Sequence, residues 1–173
     1  MKTQTLTSHY QEQTLDELSP QEQTLVRMAV DATNRSYAPY SHFAVGAALL
    51  LADGTMLPGC NQENAAFPAG ICAERSAIFA AGAAHPETPP LTLAIAARRL
   101  DNDTPMPQPN KSHEQLWHEL QETPVGPCGT CRQVIIETET RYRRPLRLLL
   151  VGRHTIYSLD SIRALMPLSF TAF

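Results

Sequence analysis

Gly59-Cys60-Asn61-Gln62-Glu63-Asn64-Ala65-Ala66-Phe67-Pro68-Ala69-Gly70-Ile71-Cys72-Ala73-Glu74-Arg75 is the stretch on which the reading of this chain turns. Its counterpart lies far downstream: Pro127-Cys128-Gly129-Thr130-Cys131-Arg132-Gln133. Together they offer three cysteines and a glutamate suited to one catalytic zinc ion. A Cys-x-x-Cys pair alone arises in metal sites, in redox centres and by chance. Joined to Cys-Ala-Glu on a second segment, it is far rarer. Cys128 and Cys131, three apart on a helix, share a face and can point at one ion. Pro127 suits a helix start, which sets these thiols at the positive end of the helix dipole and lowers their pKa. Cys72 begins the other helix and supplies the third thiolate. Three protein ligands leave one tetrahedral position open, which marks a catalytic rather than a structural zinc.

Three thiolates around one dication leave a site charge of about −1, which weakens zinc as a Lewis acid. Arg75 or Arg132, adjacent to the ligands, could hydrogen-bond the sulfurs and offset that charge. Either also reads as a solvated surface charge. Glu74 stands two residues from Cys72, beside the metal rather than on it, where a proton shuttle belongs. Its plainer reading is a first-turn glutamate favoured by the helix dipole. Asn61 and Glu63 alternate along an extended segment and face the same way, which suits the hydroxyls of a sugar. A turn with satisfied backbone contacts explains the same pair.

The 173 residues predict one domain with a real core. A hydrophobic share of 43% against 18% charged residues fits a globular protein. No apolar run approaches the ~20 residues a membrane helix requires, and the polar opening shows no secretory signal. A formal net charge of −3 gives no footprint for nucleic acid. The expected location is the cytoplasm, where Cys60, Cys72, Cys128 and Cys131 stay reduced. Cys60 ends an apolar run and reads as a small buried hydrophobe rather than a fourth ligand.

Residues 1–18, polar and without period, predict a flexible N-terminal arm. Residues 19–173 form the expected zinc-dependent domain, with an insertion at about 101–124. Ser19, Pro20 and Glu22 spell a capped helix start. Phe43 to Leu51 and Thr55 to Cys60 flank Asp53-Gly54, a hairpin signal. Helices follow from Ile71 to Ala84, ending near Gly82 and stopped by Pro86, and from Cys128 to about Thr138. A strand buried on both faces is expected at Leu91 to Ala97. Further strands fall at Leu146–Val151 and His154–Leu159, and a short helix ends before Pro167. Pro105, Pro107 and Pro109 mark the insertion as a loop, with a short helix from Ser112 to Leu120 bearing Trp117. Strands alternating with helices, plus one hairpin, predict a mixed sheet covered by helices on both faces, an α/β three-layer α-β-α domain.

The motifs resemble those of cytidine deaminases of the small homotetrameric kind with a three-cysteine zinc. Cys-Ala-Glu with Pro-Cys-x-x-Cys is the signature of zinc nucleobase deaminases with cysteine as first ligand. Matching segments are Tyr40-Ser41-x-Phe43-x-Val45-Gly46-Ala47-Ala48, Gly59-Cys60-Asn61-x-Glu63-Asn64-Ala65, Cys72-Ala73-Glu74-Arg75 and Pro127-Cys128-Gly129-x-Cys131-Arg132-Gln133, with a weaker Leu165-x-Pro167-x-x-Phe170. The resemblance implies zinc on Cys72, Cys128 and Cys131, with Glu74 as the catalytic proton shuttle. It implies nucleoside binding by Phe43, Asn61, Glu63 and Ala73, with Arg75 neutralising the thiolates. Phe67 would lie at a subunit boundary, and Phe170 would reach a neighbouring subunit's site. The implied reaction is hydrolytic deamination of cytidine and deoxycytidine in pyrimidine salvage. Zinc-bound hydroxide attacks C4, and the partners exclude nucleic acid and membrane.

Three departures stand out. The insertion exceeds what relatives carry, Gly126 replaces a common serine, and Gln62 is polar where an apolar residue is usual. Trp117 is expected to overhang the pocket or brace a subunit contact. Competing readings are a deaminase for another aminopyrimidine, a nucleic-acid editor, and a noncatalytic zinc or thiol-redox module. Asn61 with Glu63 disfavours the first, the acidic balance the second, and the third cysteine with Glu74 the last.

Overall fold

Ser19 caps the first helix as the sequence predicts: its hydroxyl accepts from the Glu22 N–H, and Glu22 accepts from the Ser19 N–H at 3.1 Å. This reciprocal pair fixes the start of α1 (Pro20–Ala32), whose Leu25, Val26, Ala29 and Val30 are buried. The computed structural model describes residues 1–106 and 108–171. Pro107 of the insertion and the last two residues of the expected domain lie outside the described residues.

β2 (Phe43–Leu51) turns through Asp53-Gly54 into β3 (Met56–Cys60). Gly54 adopts φ 88°, a conformation that side chains resist. Asp53 Oδ1 accepts from the Thr55 N–H at 2.9 Å and closes the turn. α2 (Ala73–Ala84) lies within the expected stretch Ile71 to Ala84 and is capped at His85. β4 (Pro90–Arg99) is buried almost throughout. The insertion carries α3 (His113–His118), and α4 (Gly129–Tyr142) runs beyond Thr138 to a left-handed Arg143 cap. β5 (Arg147–Val151) and β6 (Ile156–Leu159) follow, then a 3-10 turn at Ile162–Leu165.

These strands make one mixed six-stranded sheet of order β1-β6-β5-β4-β2-β3, in which β4 and β5 alone run parallel. β5 and β6 form a second hairpin beside the expected one. The residues expected as an arm contribute β1 (Gln11–Gln13), paired with β6, and a 3-10 turn at Leu15–Glu17. Gln13 Oε1 holds this edge by accepting from Ser158 Oγ at 2.6 Å. Residues 1–10 are exposed.

Strand side chains alternate cleanly between two cores. Leu49, Leu93, Ile95, Leu148 and Leu150 pack with Ala73, Ala77, Ile135 and Ile136 under α2 and α4. Leu50, Ala94, Ala96, Leu149 and Val151 pack with Val26, Ala29 and Val30 of α1 and with Leu116 and Leu120 of the insertion. The insertion therefore lies on the face opposite the cysteine-bearing helices. Trp117 joins that second core and donates from its indole N–H to the Arg153 carbonyl at 3.2 Å.

Both helical layers approach the sheet closely at a glycine. A Cβ on Gly46 would stand 2.1 Å from the Ala29 carbonyl oxygen and 2.7 Å from the Thr33 nitrogen of the α1 layer. A Cβ on Gly59 would meet the Ala73 carbonyl at 2.4 Å and the Ala77 nitrogen at 2.6 Å, both in α2. Pro58, exposed on the edge strand β3, faces away from β2: the inward bonds of this hairpin come from odd-numbered positions such as Leu51 N to Thr55 O and Asn61 N to Val45 O.

Gly46→Ala forces backbone apart rather than a flexible side chain. It should cost about 3 kcal/mol and lower the unfolding midpoint by roughly 6–12 °C. Thermal denaturation followed by circular dichroism checks this, and an unchanged midpoint would refute the close approach of α1 to β2.

Candidate active site

The sequence brings its cysteines together by starting two helices on the same sheet face. Cys72 is the N-cap residue of α2 and Cys128 that of α4, both extended and neither using its side chain as a cap. Their sulfurs are therefore free to project past the helix ends. Cys131, one turn into α4, is fully buried. The three Sγ atoms all lie within 4.8 Å of one another, and Cys72 and Cys128 stand 3.9 Å apart. No other such cluster of metal-ligating side chains occurs among the described residues. Cys60 is absent from it: half-buried rather than buried, its thiol donates to the Arg35 carbonyl at 3.3 Å.

Three sulfurs at this separation suit a soft or borderline cation, and zinc accepts tetrahedral sulfur ligation readily. The protein prepares the cluster for positive charge. A hydrogen bond from Cys131 lowers the Cys72 pKa to about 5, with Arg75 and Cys128 adding to it against burial. The Cys72 sulfur and burial in turn hold the Cys131 thiol up.

Arg75 donates through Nη2 to Cys72 Sγ at 3.6 Å, and this contact raises its own pKa. Its Nε is buried without a partner among the described residues. Arg132, the other candidate for this task, does something else. It donates from Nε to the Pro127 carbonyl at 2.8 Å and from Nη1 to the Leu165 carbonyl at 2.9 Å. It braces the loop before Cys128 against the C-terminal turn instead of touching sulfur.

Glu74 is 4% exposed, the second residue of α2. Burial raises its pKa, the Cys72 charge adds to that, and contact with Cys131 works the other way.

Asn61 and Glu63 use their side chains to hold the backbone of the neighbouring loop. Asn61 Oδ1 accepts from the Val45 N–H at 2.8 Å, and its Nδ2 donates to the Phe43 carbonyl at 2.9 Å. Glu63 Oε2 accepts from the N–H groups of Tyr40 and Ser41 at 3.0 and 3.2 Å. Their backbones pair with Tyr37: its N–H donates to the Asn61 carbonyl at 3.0 Å, and the Glu63 N–H donates to its carbonyl at 2.8 Å. These side chains shape the loop 37–43 while Glu63 Oε1 has no partner among the described residues. Tyr37 was not among the candidate residues of the sequence, because its role runs through its backbone and not its side chain. Gln62 is polar because its Nε2 donates to the Arg35 carbonyl at 3.1 Å. Phe67 is 78% and Phe170 58% exposed, and Gln133 donates to the Phe170 carbonyl at 2.9 Å.

A mixed sheet that seats three thiols and a buried carboxyl at two helix starts defines a zinc-binding deaminase domain. The pattern of cytidine and deoxycytidylate deaminase zinc-binding regions matches residues 19–143. The chain is 39% identical over 115 residues to a cytidine deaminase of Halalkalibacterium halodurans, covering 66% of this chain and 70% of that one. It is 41% identical over 113 residues to a cytidine deaminase of Sporosarcina psychrophila, covering 65% and 66%. Its fold superposes on the crystal structure of cytidine deaminase from Burkholderia pseudomallei with a TM-score of 0.64 and 32% identity, covering 85% of this chain and 97% of the other. The chain belongs to the cytidine deaminase family.

Purified protein should carry about one zinc per chain, and Cys128→Ser should lower that content at least tenfold. Elemental analysis after desalting decides it. Full metal content in the variant would remove Cys128 from the ligand set.

Proposed function

We propose that the chain hydrolyses cytidine and deoxycytidine to uridine and deoxyuridine and ammonia, with Glu74 as the proton carrier. The observation that carries this reading is a buried glutamate set directly beside three converging thiols. Cys72, Cys128 and Cys131 would hold the zinc, which when bound would supply a water of lowered pKa. Glu74 takes one proton from the attacking water and delivers it to ring N3 as the new C4–O bond forms. It then moves the second water proton to the exocyclic nitrogen; the C4–N bond breaks, C4=O forms and ammonia leaves. Arg75 keeps its guanidinium on Cys72 and lessens the charge of the thiolates, which favours acidification of the water.

The nucleoside would lie between this cluster and the loop 37–43. Phe43 packs against the pyrimidine, the backbone of Ala73 faces the base, and Asn61 with Glu63 holds the ribose. Glu63 supports that reading because one carboxylate oxygen is already fixed by the Tyr40 and Ser41 amides, leaving the other for a hydroxyl. Residues 1–18 form an N-terminal segment that lends Gln11–Gln13 to the sheet edge, and residues 19–173 the deaminase domain with its insertion at 101–124. We place the enzyme in the cytoplasm, where thiols persist. No helix is long and apolar enough to cross a membrane among the described residues. We further propose a homotetramer, with Phe67 and Phe170 at subunit boundaries. Support comes from these exposed aromatics and from half-exposed Phe79, which borders an apolar groove of about 330 Å³ between α2 and α4.

Glu74→Gln should retain zinc and lose kcat for cytidine by about 10²–10⁴-fold. Glu63→Gln should raise KM about tenfold with kcat little changed, the loss of one charge-assisted bond. Absorbance assays of cytidine conversion with parallel zinc analysis measure both, and full turnover in Glu74→Gln would reject the mechanism. A light-scattering mass near the 19.1 kDa of one chain would exclude the tetramer.

A further inference from the structure

Arg98, next to last in β4, has 1% of its side chain exposed, an unusual place for a guanidinium. Burial lowers its pKa, and Glu119 of the insertion opposes that. All three of its donor groups are used. Nε donates to Thr33 Oγ1 at 3.0 Å, Nη1 to Glu119 Oε2 at 2.8 Å, and Nη2 to Gln108 Oε1. Lys111 completes the insertion's share of the network by donating to Glu119 Oε1 at 2.5 Å.

Gln108, itself 9% exposed, passes this anchorage onward. Its Nε2 donates to the Ser36 carbonyl at 2.8 Å and to the Thr33 carbonyl at 3.3 Å, more than seventy residues earlier in the chain. Ser36 in turn donates from Oγ to the Val45 carbonyl at 3.0 Å. The next residue, Tyr37, is the backbone partner of Asn61 and Glu63. On the other side of the loop, Met106 of the insertion packs against Ala38, Ala44 and Leu100. The loop that begins at Ser36 and ends at Phe43 is thus gripped at its root by residues of the insertion and at its tip by Glu63.

We infer that Gln108, oriented by Arg98, is a positioning residue for the nucleoside site: it sets the Ser36–Phe43 loop so that Glu63 meets the ribose hydroxyls. This deepens the proposed ribose contacts and rests on them. Gln108 touches no substrate and acts through the Ser36 carbonyl and Tyr37. Its amide is suited to the task, because Oε1 takes the guanidinium while Nε2 serves two carbonyls. The insertion therefore tunes the pocket from behind the loop, on the α1 side of the sheet.

Gln108→Glu is the discriminating variant, since it keeps an acceptor for Arg98 but replaces the donor with a second acceptor facing two carbonyls. With cytidine, KM should rise about tenfold while kcat and zinc content stay within about twofold of the unaltered enzyme. With 2′,3′-dideoxycytidine, which lacks both the 2′- and the 3′-hydroxyl of cytidine, the same substitution should change KM less than about twofold. Glu63→Gln, measured alongside, should show the same substrate pattern. If Glu63→Gln raises KM for cytidine and Gln108→Glu does not, the positioning role is wrong and the ribose reading stands. If neither does, the ribose reading fails and the inference falls with it. Equal losses in kcat and KM on both substrates, or loss of zinc, would reduce Gln108 to a purely structural part. Should Gln108→Glu not fold, Gln108→Met takes its place with hydrogen exchange as the readout. The amides of Tyr37, Tyr40 and Ser41 should exchange at least about tenfold faster while α2 is unaltered, and unchanged exchange at those three overturns the inference.

Discussion

Everything about this domain obeys one constraint: two helices must begin beside each other on the same face of the sheet. α2 arrives there from β3, seated so closely that only glycine fits at position 59 beneath Ala73 and Ala77. α4 arrives as the crossover between the parallel neighbours β4 and β5, a connection that requires a long excursion over one face. The outcome is a pair of N-cap cysteines 56 residues apart in sequence and 3.9 Å apart in space. Neither helix start could move outward by the width of a methyl group without separating the sulfurs.

The electrostatics follow from that juxtaposition. Two helix N-termini and one arginine present partial and full positive charge to a cluster of sulfur, while a buried glutamate stands beside Cys131. Arg75 reaches Cys72 because both lie in the first turn of α2, three residues apart on one face. Arg132 sits next to Cys131 in sequence but points back along α4 to Pro127 and across to Leu165. It determines where the helix starts, and so where Cys128 can be, without contacting the thiol. Neighbourhood in sequence thus gave two equal candidates, and helix phase separated them.

What was legible in the amino acids was whatever local chemistry decides. The Ser19–Glu22 box, the Asp53-Gly54 turn and the unbroken apolar run of β4 each act over a few residues, and each element formed where expected. The cysteine spacing worked for the same reason, since helix geometry relates Cys128 to Cys131 directly. The misses are long-range. Gln11–Gln13 has no apolar alternation and becomes a strand because the edge of β6 and the side chains of Ser158 and Arg147 receive it. α4 outruns Thr138 because Glu139, buried within the domain, accepts from the Leu146 and Ile162 amides and is worth keeping helical. Nothing near Arg98 in the sequence announces that its partners are a threonine sixty-five residues before it and two side chains from a proline-rich insertion. Charge near the end of an apolar strand normally faces water, and here it does not.

Pro58 carries a consequence for how copies of this protein can meet. The outward side of β3 lacks a donor at the centre of the strand, so an incoming strand would find a gap in its ladder there. At the opposite border the last rung is only three residues long and made of glutamine and glutamate. Both margins are therefore poor templates, and the sheet stops within a single polypeptide. Self-association, where it happens, has to use the outer surfaces of helices and loops, which leaves fibre-like growth through backbone pairing closed off.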